Sequence, residues 1–225
     1  MIRFATFDCA GTLVEVKCTV GQLLHEASHE LGLAVGRDEM QLFQALYMAL
    51  LPEFHSINRL RDPERGIGFW VRLCGEWLER IGQDPSLADA LRQRVDELAW
   101  EEPSQMFALY PDVLPCLRRL HAQGIEMAVI SNWDYSLHRC LRMFELESYF
   151  KVRLASLEEG IEKPDSRLFE IALEQLGATP DETVHVGDDP IDDVEGARRA
   201  GLRAVHLDRS GATGDAIRSL DELRL

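Results

Sequence analysis

The sequence predicts an α/β fold: a doubly wound parallel sheet carrying an α-helical insertion after its first strand. Three observations lead there. A short, aromatic, β-compatible run, Arg3-Phe4-Ala5-Thr6-Phe7, opens directly onto a Gly11-Thr12 turn with no hairpin partner beside it. From Val20 to about Glu102 the apolar periodicity is helical. Beyond Tyr110-Pro111-Asp112, helix and strand take turns to the end of the chain. Strands separated by helices of this length imply right-handed crossovers and a sheet covered on both faces, a Rossmann-like arrangement.

The elements follow in order. In the helical stretch, Leu23, Leu24, Ala27 and Leu31 form one stripe, and Leu87, Leu91, Val95 and Leu98 form another behind a Ser86 cap. Met40 to Leu51 and Phe69 to Ile81 read as two further helices. The alternating part begins with a helix over Val113 to Ala122, a strand Met127 to Ile130, a helix Tyr135 to Phe144 and a strand Val152 to Ala155. A helix opened by Pro164 then runs to Leu176, followed by strand Thr183 to Val186, a helix Val194 to Ala200 and a last strand Ala204 to Leu207. The domain boundaries expected are 1–14 with 106–225 for the α/β part and 15–105 for the helical part.

Composition narrows the functional classes. The 225 residues are 46% hydrophobic and 28% charged, with 39 acidic against 24 basic side chains and a net charge of −15. That balance argues against nucleic acid or an anionic membrane surface as partner. No apolar run approaches the ~20 residues a membrane span needs, and the start of the chain lacks the pattern of an export signal. Cys9, Cys18, Cys74, Cys116 and Cys140 are odd in number and widely spaced, which suggests neither a disulfide framework nor a zinc site. A cytoplasmic setting is the simplest expectation; monomer and dimer are not distinguished.

In an open α/β sheet the ligand site lies beyond the carboxyl ends of the strands. The first strand ends in Asp8-Cys9-Ala10-Gly11-Thr12, the second in Ser131-Asn132, and Glu162-Lys163-Pro164 follows the third. The fourth ends in Gly187-Asp188-Asp189, where Asp188, Asp189, Asp192, Asp193 and Glu195 place five carboxylates in eight residues. Each alone has an ordinary reading: a turn or helix cap for Asp8 or Ser131-Asn132, a solvated loop for Lys163. Lys163 is nonetheless one of only three lysines, with Lys17 and Lys151. The acidic run repels itself unless it is solvated or neutralised by a cation.

Taken together, Asp8-x-x-Gly11-Thr12-Leu13, Ser131-Asn132, Lys163-Pro164 and Gly187-Asp188-Asp189 to Asp193 resemble the haloacid dehalogenase-like (HAD) hydrolase superfamily, over residues 1–14 and about 110–208. The helical block 15–105 resembles that superfamily's helical cap in position and helicity. The resemblance implies a hydrolase acting on a small phosphorylated molecule through an aspartyl-phosphate on Asp8. Ser131 and Lys163 would hold the transferring oxygens, with Gly11, Thr12 and Asn132 at the substrate. Mg²⁺ would be coordinated by Asp8, the Ala10 carbonyl and Asp188, with Asp193 and Asp189 in support.

One position departs from the pattern. Most phosphatases of the superfamily carry Asp two residues after the nucleophile, as general acid and base, and here that residue is Ala10. Alanine can do neither job, while its backbone carbonyl still suits a metal. Phosphonoacetaldehyde hydrolases resemble the Asp-x-Ala-Gly-Thr motif but use a cap lysine, and only Lys17 stands before residue 150. Haloacid dehalogenases dispense with the second Asp but generally lack an acidic fourth motif. A catalytically silent protein binding a phosphorylated ligand or a protein partner is the remaining alternative. Glu15, Lys17, Cys18, His25 and His29 are the nearby candidates for a substitute acid. In the helical block, Arg59, Arg61 and Arg65 fall in an expected loop, Asn58 to Gly66, where surface pairing with Asp62 and Glu64 competes with binding of an anionic substrate. Trp70, Trp77, Trp100, Phe43 and Tyr47 fall at helical spacings that suit a core.

Overall fold

The computed structural model describes all of residues 1–225, and the chain forms two compact units, residues 1–15 with 109–225 and residues 16–108. The first is the α/β unit. Its sheet has five strands, β1 (Phe4–Phe7), β4 (Glu126–Ser131), β5 (Phe150–Ala155), β6 (Thr183–Gly187) and β7 (Arg203–His206), in the order β5-β4-β1-β6-β7. All neighbours run parallel, with Phe7 in register with Val129 on one side and Val186 on the other. β1 is therefore central, and its four residues are all buried, which is why it shows no alternation of buried and exposed positions. The order reverses on passing from β4 and β5 to β6 and β7, so β1 with its two neighbours is the switch point, and the carboxyl ends of β1, β4 and β6 lie side by side.

Helices α5 (Val113–Ala122), α6 (Leu137–Met143), α7 (Ser156–Glu159), α8 (Ser166–Leu176) and α9 (Gly196–Arg199) complete this unit. α8 packs Leu168, Phe169, Ala172, Leu173 and Leu176 against Phe4, Ala128, Ile130, Val152 and Leu154, of which the Leu, Ile, Val and Phe side chains are worth ~1.5–3 kcal/mol each on burial. It begins two residues later than Pro164 implies. Asp165 caps it by accepting from the Arg167 amide at 3.0 Å, while the Lys163 backbone before it is held elsewhere. The expected helix Val194 to Ala200 is instead a π-turn, Pro190–Glu195, followed by the single turn of α9.

The second unit holds α1 (Val20–Glu30), α2 (Arg37–Arg59), α3 (Pro63–Arg80) and α4 (Ala88–Trp100). Short strands β2 (Val14–Val16) and β3 (Phe107–Leu109), where the chain passes between units, pair with each other. α2 runs through Pro52 rather than ending at Leu51, because Phe54, Ile57 and Asn58 beyond it are buried, which offsets the ~3 kcal/mol an interior proline costs. The expected loop Asn58 to Gly66 thereby contracts to Leu60–Asp62. Arg59 ends α2, Arg65 pairs with Asp62 at 3.2 Å in the first turn of α3, and Arg61 sits between them. The Asp84 carboxylate, not Ser86, caps the turn before α4, accepting from the Ser86 amide at 2.9 Å.

The aromatic residues of this unit pack on one another. Phe43 meets the buried Trp77 edge-on, Tyr47 stacks on Trp70, Trp100 lies against Phe107, and the Trp77 indole donates to the Glu39 carbonyl at 2.7 Å. The Lys17 ammonium donates to the Ser104 carbonyl at 2.5 Å, the Cys18 thiol to the Gln105 carbonyl, and His25 and His29 face each other on α1 at 3.2 Å. No helix is long and apolar enough to cross a membrane.

Candidate active site

The three adjacent strand ends converge on one buried cluster. β1 still donates its Asp8 amide to the Val186 carbonyl at 2.9 Å, so the ladder itself fixes where the Asp8 side chain begins. One carboxylate oxygen of Asp8 then accepts from the Ser131 hydroxyl at 3.0 Å and from the Lys163 ammonium at 2.6 Å. Its other oxygen takes neither. Lys163 also donates to Asp193 at 2.6 Å, and Asp8, Ser131, Lys163 and Asp193 are each no more than 6% exposed.

Asp193 is held from three directions. One oxygen accepts from Lys163 and from the His185 Nε2 at 3.2 Å, and the other accepts from the Asp189 amide at 3.0 Å. Because a carboxylate only accepts, the His185 proton sits on Nε2, which leaves Nδ1 to accept from the Thr6 hydroxyl at 2.8 Å. Burial pushes the fully enclosed His185 imidazole down, toward its neutral form, more strongly than Asp193 draws it up. Thr6, His185, Asp193, Lys163 and Asp8 thus form one connected line beneath the sheet's end.

The two carboxylates compete for a single ammonium, and their surroundings decide the division. Burial raises the Asp193 carboxyl, but the His185 hydrogen bond and the Lys163 charge outweigh it and hold Asp193 well below the usual carboxylate range. Burial also raises Asp8; Lys163 lowers it, Asp193 and Asp188 add like charge, and the result is a carboxyl pushed up to about 6. Burial alone would lower Lys163, yet Asp8 and Asp193 keep it protonated far beyond neutrality. Asp188 is also raised, first by burial.

Two glycines make room for this packing. A Cβ on Gly11, whose φ is +81°, would fall on the Asp188 carboxylate, and one on Gly187 would fall on the Asp193 carboxylate. Gly187→Ala must therefore displace Asp193 from Lys163 and His185. The expected cost is about 1–3 kcal/mol of stability, as for other overpacked sites. A urea unfolding midpoint equal to that of the wild type would show that Asp193 needs no such space.

The remaining expected site residues divide. Thr12 donates its hydroxyl to Asp188 at 3.0 Å, beside the tight turn in which the Gly11 amide bonds the Val14 carbonyl. Ala10 precedes that turn and brings only a methyl group. The Asn132 side chain is engaged by the Lys163 backbone, donating to its carbonyl at 3.0 Å and accepting from its amide at 2.8 Å; it also donates to Asp192. Asn132 thus holds the Lys163 backbone from both sides. Asp189 caps the π-turn, accepting from the Ile191 and Asp192 amides at 2.7 Å, so its carboxylate stands apart from the cluster. Thr6 and His185 were not among the residues expected. Both sit inside strands, and strand alternation carries no sign of which side chain across the sheet a given position meets.

Acceptor oxygens of Asp8, Asp188 and Asp193 lie within 4.8 Å of one another. The donor set is all oxygen, and three carboxylates stand against one ammonium, which bonds Asp8 and Asp193 only, a surplus of negative charge that a hard divalent cation would neutralise. With Asp193 committed to Lys163, His185 and the Asp189 amide, Asp8 and Asp188 are the carboxylates that fit such an ion.

A buried acid at the end of the central strand, joined to a hydroxyl, an ammonium and an acidic loop at a sheet switch point, defines a class of α/β hydrolases. The model of the haloacid dehalogenase-like hydrolase family matches residues 2–201, and the chain belongs to that family. It is 33% identical to a phosphoserine phosphatase of Thermus thermophilus over 201 residues, covering 88% of this chain and 76% of that one. A glyceraldehyde 3-phosphate phosphatase of Methanopyrus kandleri is 34% identical over 137 residues, covering 59% and 56%. Among solved structures, a 2-haloacid dehalogenase of Pseudomonas syringae superposes with a TM-score of 0.72 at 28% identity, covering 99% and 96%.

Proposed function

We propose that this protein is a Mg²⁺-dependent phosphatase of a small phosphorylated molecule, with Asp8 as nucleophile. The observation that carries the reading is the Asp8 carboxylate, fixed through one oxygen by Ser131 and Lys163 with its other oxygen unbonded. The phosphatase names among its relatives support the same class. Asp8, the Ala10 carbonyl and Asp188 would hold Mg²⁺, which when bound offsets the negative charge of nucleophile and phosphate. An Asp8 oxygen attacks phosphorus, the ester oxygen leaves with its electron pair, and an aspartyl-phosphate results. Ser131 and Lys163 donate to the transferring oxygens, and the Asp193–His185–Thr6 line keeps Lys163 charged and in place. Attack of water on the phosphorus then frees inorganic phosphate and restores Asp8.

Ala10 supplies no proton in either half of this sequence, so the leaving oxygen takes one from solvent. Ala10→Asp is expected to raise turnover by ~10²–10⁴-fold, the usual worth of general acid–base help. The assay is phosphate release from a panel of phosphometabolites, for wild type and variant, with Mg²⁺ and with a chelator. Turnover lost on chelation supports the reading. If neither protein releases phosphate from any member although Mg²⁺ binds, the phosphatase reading fails in favour of a silent binding protein. Ala10 and the likeness to a dehalogenase favour hydrolytic dehalogenation as a second reading, since a halide leaves without a proton; halide release from 2-haloacids in the presence of a chelator would establish it. The free thiols of all five cysteines suit a reducing cytoplasm.

A further inference from the structure

Arg209, in the loop after β7, lies outside every motif described above, yet it reaches the turn that follows Asp8. Its Nε donates to the Gly11 carbonyl at 3.2 Å and its Nη2 to the Thr12 carbonyl at 2.6 Å. The opposite edge of the guanidinium meets Asp112 as a fork, Nη1 to one oxygen at 2.9 Å and Nη2 to the other at 3.1 Å. Four of its five N–H groups are thereby directed. The flat face rests on the Tyr110 ring, with the guanidinium carbon 3.7 Å from the ring centre.

The support for this arrangement is itself fixed. Asp112 is buried and also accepts from the Ser219 hydroxyl and the Leu220 amide, both at 2.8 Å. Burial raises its carboxyl, but Arg209, Ser219 and Leu220 together hold it below the usual carboxylate range. It follows Tyr110-Pro111 directly before α5, where a carboxylate ordinarily caps the helix, yet it makes no such bond and faces Arg209 instead. A rigid, doubly anchored cation thus grips two successive carbonyls of a turn whose other ties from outside are the Thr12 hydroxyl on Asp188 and the Tyr110 amide on the Leu13 carbonyl.

We propose that Arg209 is a positioning residue: it fixes the Gly11–Thr12 turn, and with it the Thr12 hydroxyl on Asp188 and the adjoining Ala10 carbonyl. The metal-directed part of this rests on the phosphatase reading above. Lysine cannot replace it, because a point ammonium cannot span two carbonyls and a carboxylate in one plane. Supporting groups of this kind typically change metal affinity by ~10–100-fold when removed.

The test compares wild type, Arg209→Met, Arg209→Lys and, as a control that loosens Asp112 without touching the turn, Ser219→Ala. Mg²⁺ binding is measured by calorimetry, amide exchange of Leu13 and Val14 by mass spectrometry or NMR, and kcat and KM by phosphate release. Arg209→Met is expected to weaken Mg²⁺ binding roughly 10–100-fold, speed exchange at Leu13 and Val14, and lower kcat more than it raises KM. Arg209→Lys should fall between, and Ser219→Ala, which loosens the Asp112 anchor but leaves every Arg209 bond available, should stay nearer to wild type in Mg²⁺ affinity than either. If Arg209→Met and Arg209→Lys both bind Mg²⁺ within twofold of wild type, the positioning role is overturned, whatever happens to exchange or thermal stability. If wild type itself neither binds Mg²⁺ nor turns over, the phosphatase reading falls, and exchange at Leu13 and Val14 decides the claim about the turn: unchanged rates in Arg209→Met refute it.

Discussion

Asp8→Asn is expected to abolish phosphate release, by a factor of at least ~10³ and toward the ~10⁶ seen when a covalent nucleophile is removed, while the fold persists. Asparagine keeps the shape and an oxygen for Ser131 and Lys163 but cannot attack phosphorus. The same variant should carry a second signature in metal-free protein. The Asp8 carboxyl is raised to about 6 in the folded state, against an unfolded value near 3.9, so folding favours its neutral form. The stability associated with that proton is present below pH ~4 and is lost as pH rises through ~6, amounting to as much as about 3 kcal/mol. Asp8→Asn removes this dependence. Urea unfolding from pH 4 to 7 in a chelator should show wild-type stability falling relative to the variant. Parallel curves would contradict the raised carboxyl, and a variant retaining a tenth of wild-type turnover would remove Asp8 as nucleophile.

Lys163→Met is expected to cost about 3–5 kcal/mol of stability at neutral pH, the usual penalty for leaving a buried charge without its partner. The side chain is 2% exposed and is the ammonium shared by Asp8 and Asp193. Losing it strands both carboxylates, and turnover should fall with the loss of the cation that holds the transferring oxygens. Two features separate this from ordinary core damage. Adding Asp8→Asn to Lys163→Met should recover part of the stability, because one of the stranded charges is gone. Mg²⁺ should also stabilise Lys163→Met more than it stabilises wild type. A single variant within 1 kcal/mol of wild type, read from chemical denaturation, would mean that Asp8 and Asp193 are neutral in the folded protein.

Most of the fold was legible because its signals are local. β1 is buried on both faces since it is central, and the alternation of helix and strand after Pro111 announced a parallel sheet. Strand ends then indicated where polar side chains had to gather, and Asp8, Ser131, Lys163, Asp188 and Asp193 do gather there. Element limits were harder to read where tertiary contacts outweigh local preference. α2 passes through Pro52 because its far end is buried, and α8 waits for Asp165 because the Lys163 backbone is tied to Asn132.

Element order and strand-end residues already imply that an acid, a hydroxyl, a lysine and an acidic loop meet at the carboxyl edge of a parallel sheet, and the family resemblance marks Ala10 as standing where an acid is usual. The division of labour among like residues was decided only by the tertiary structure. Asp188, Asp189 and Asp193 are chemically alike and within six residues of one another, yet one meets Thr12, one caps a π-turn and one pairs with Lys163 and His185. Arg209 reaches the Gly11 carbonyl across a separation of 198 residues. Secondary structure follows from the periodicity of neighbouring residues, whereas the partner of a buried charge follows from which strand ends and loops the fold brings within 3 Å, and no local pattern encodes that distance.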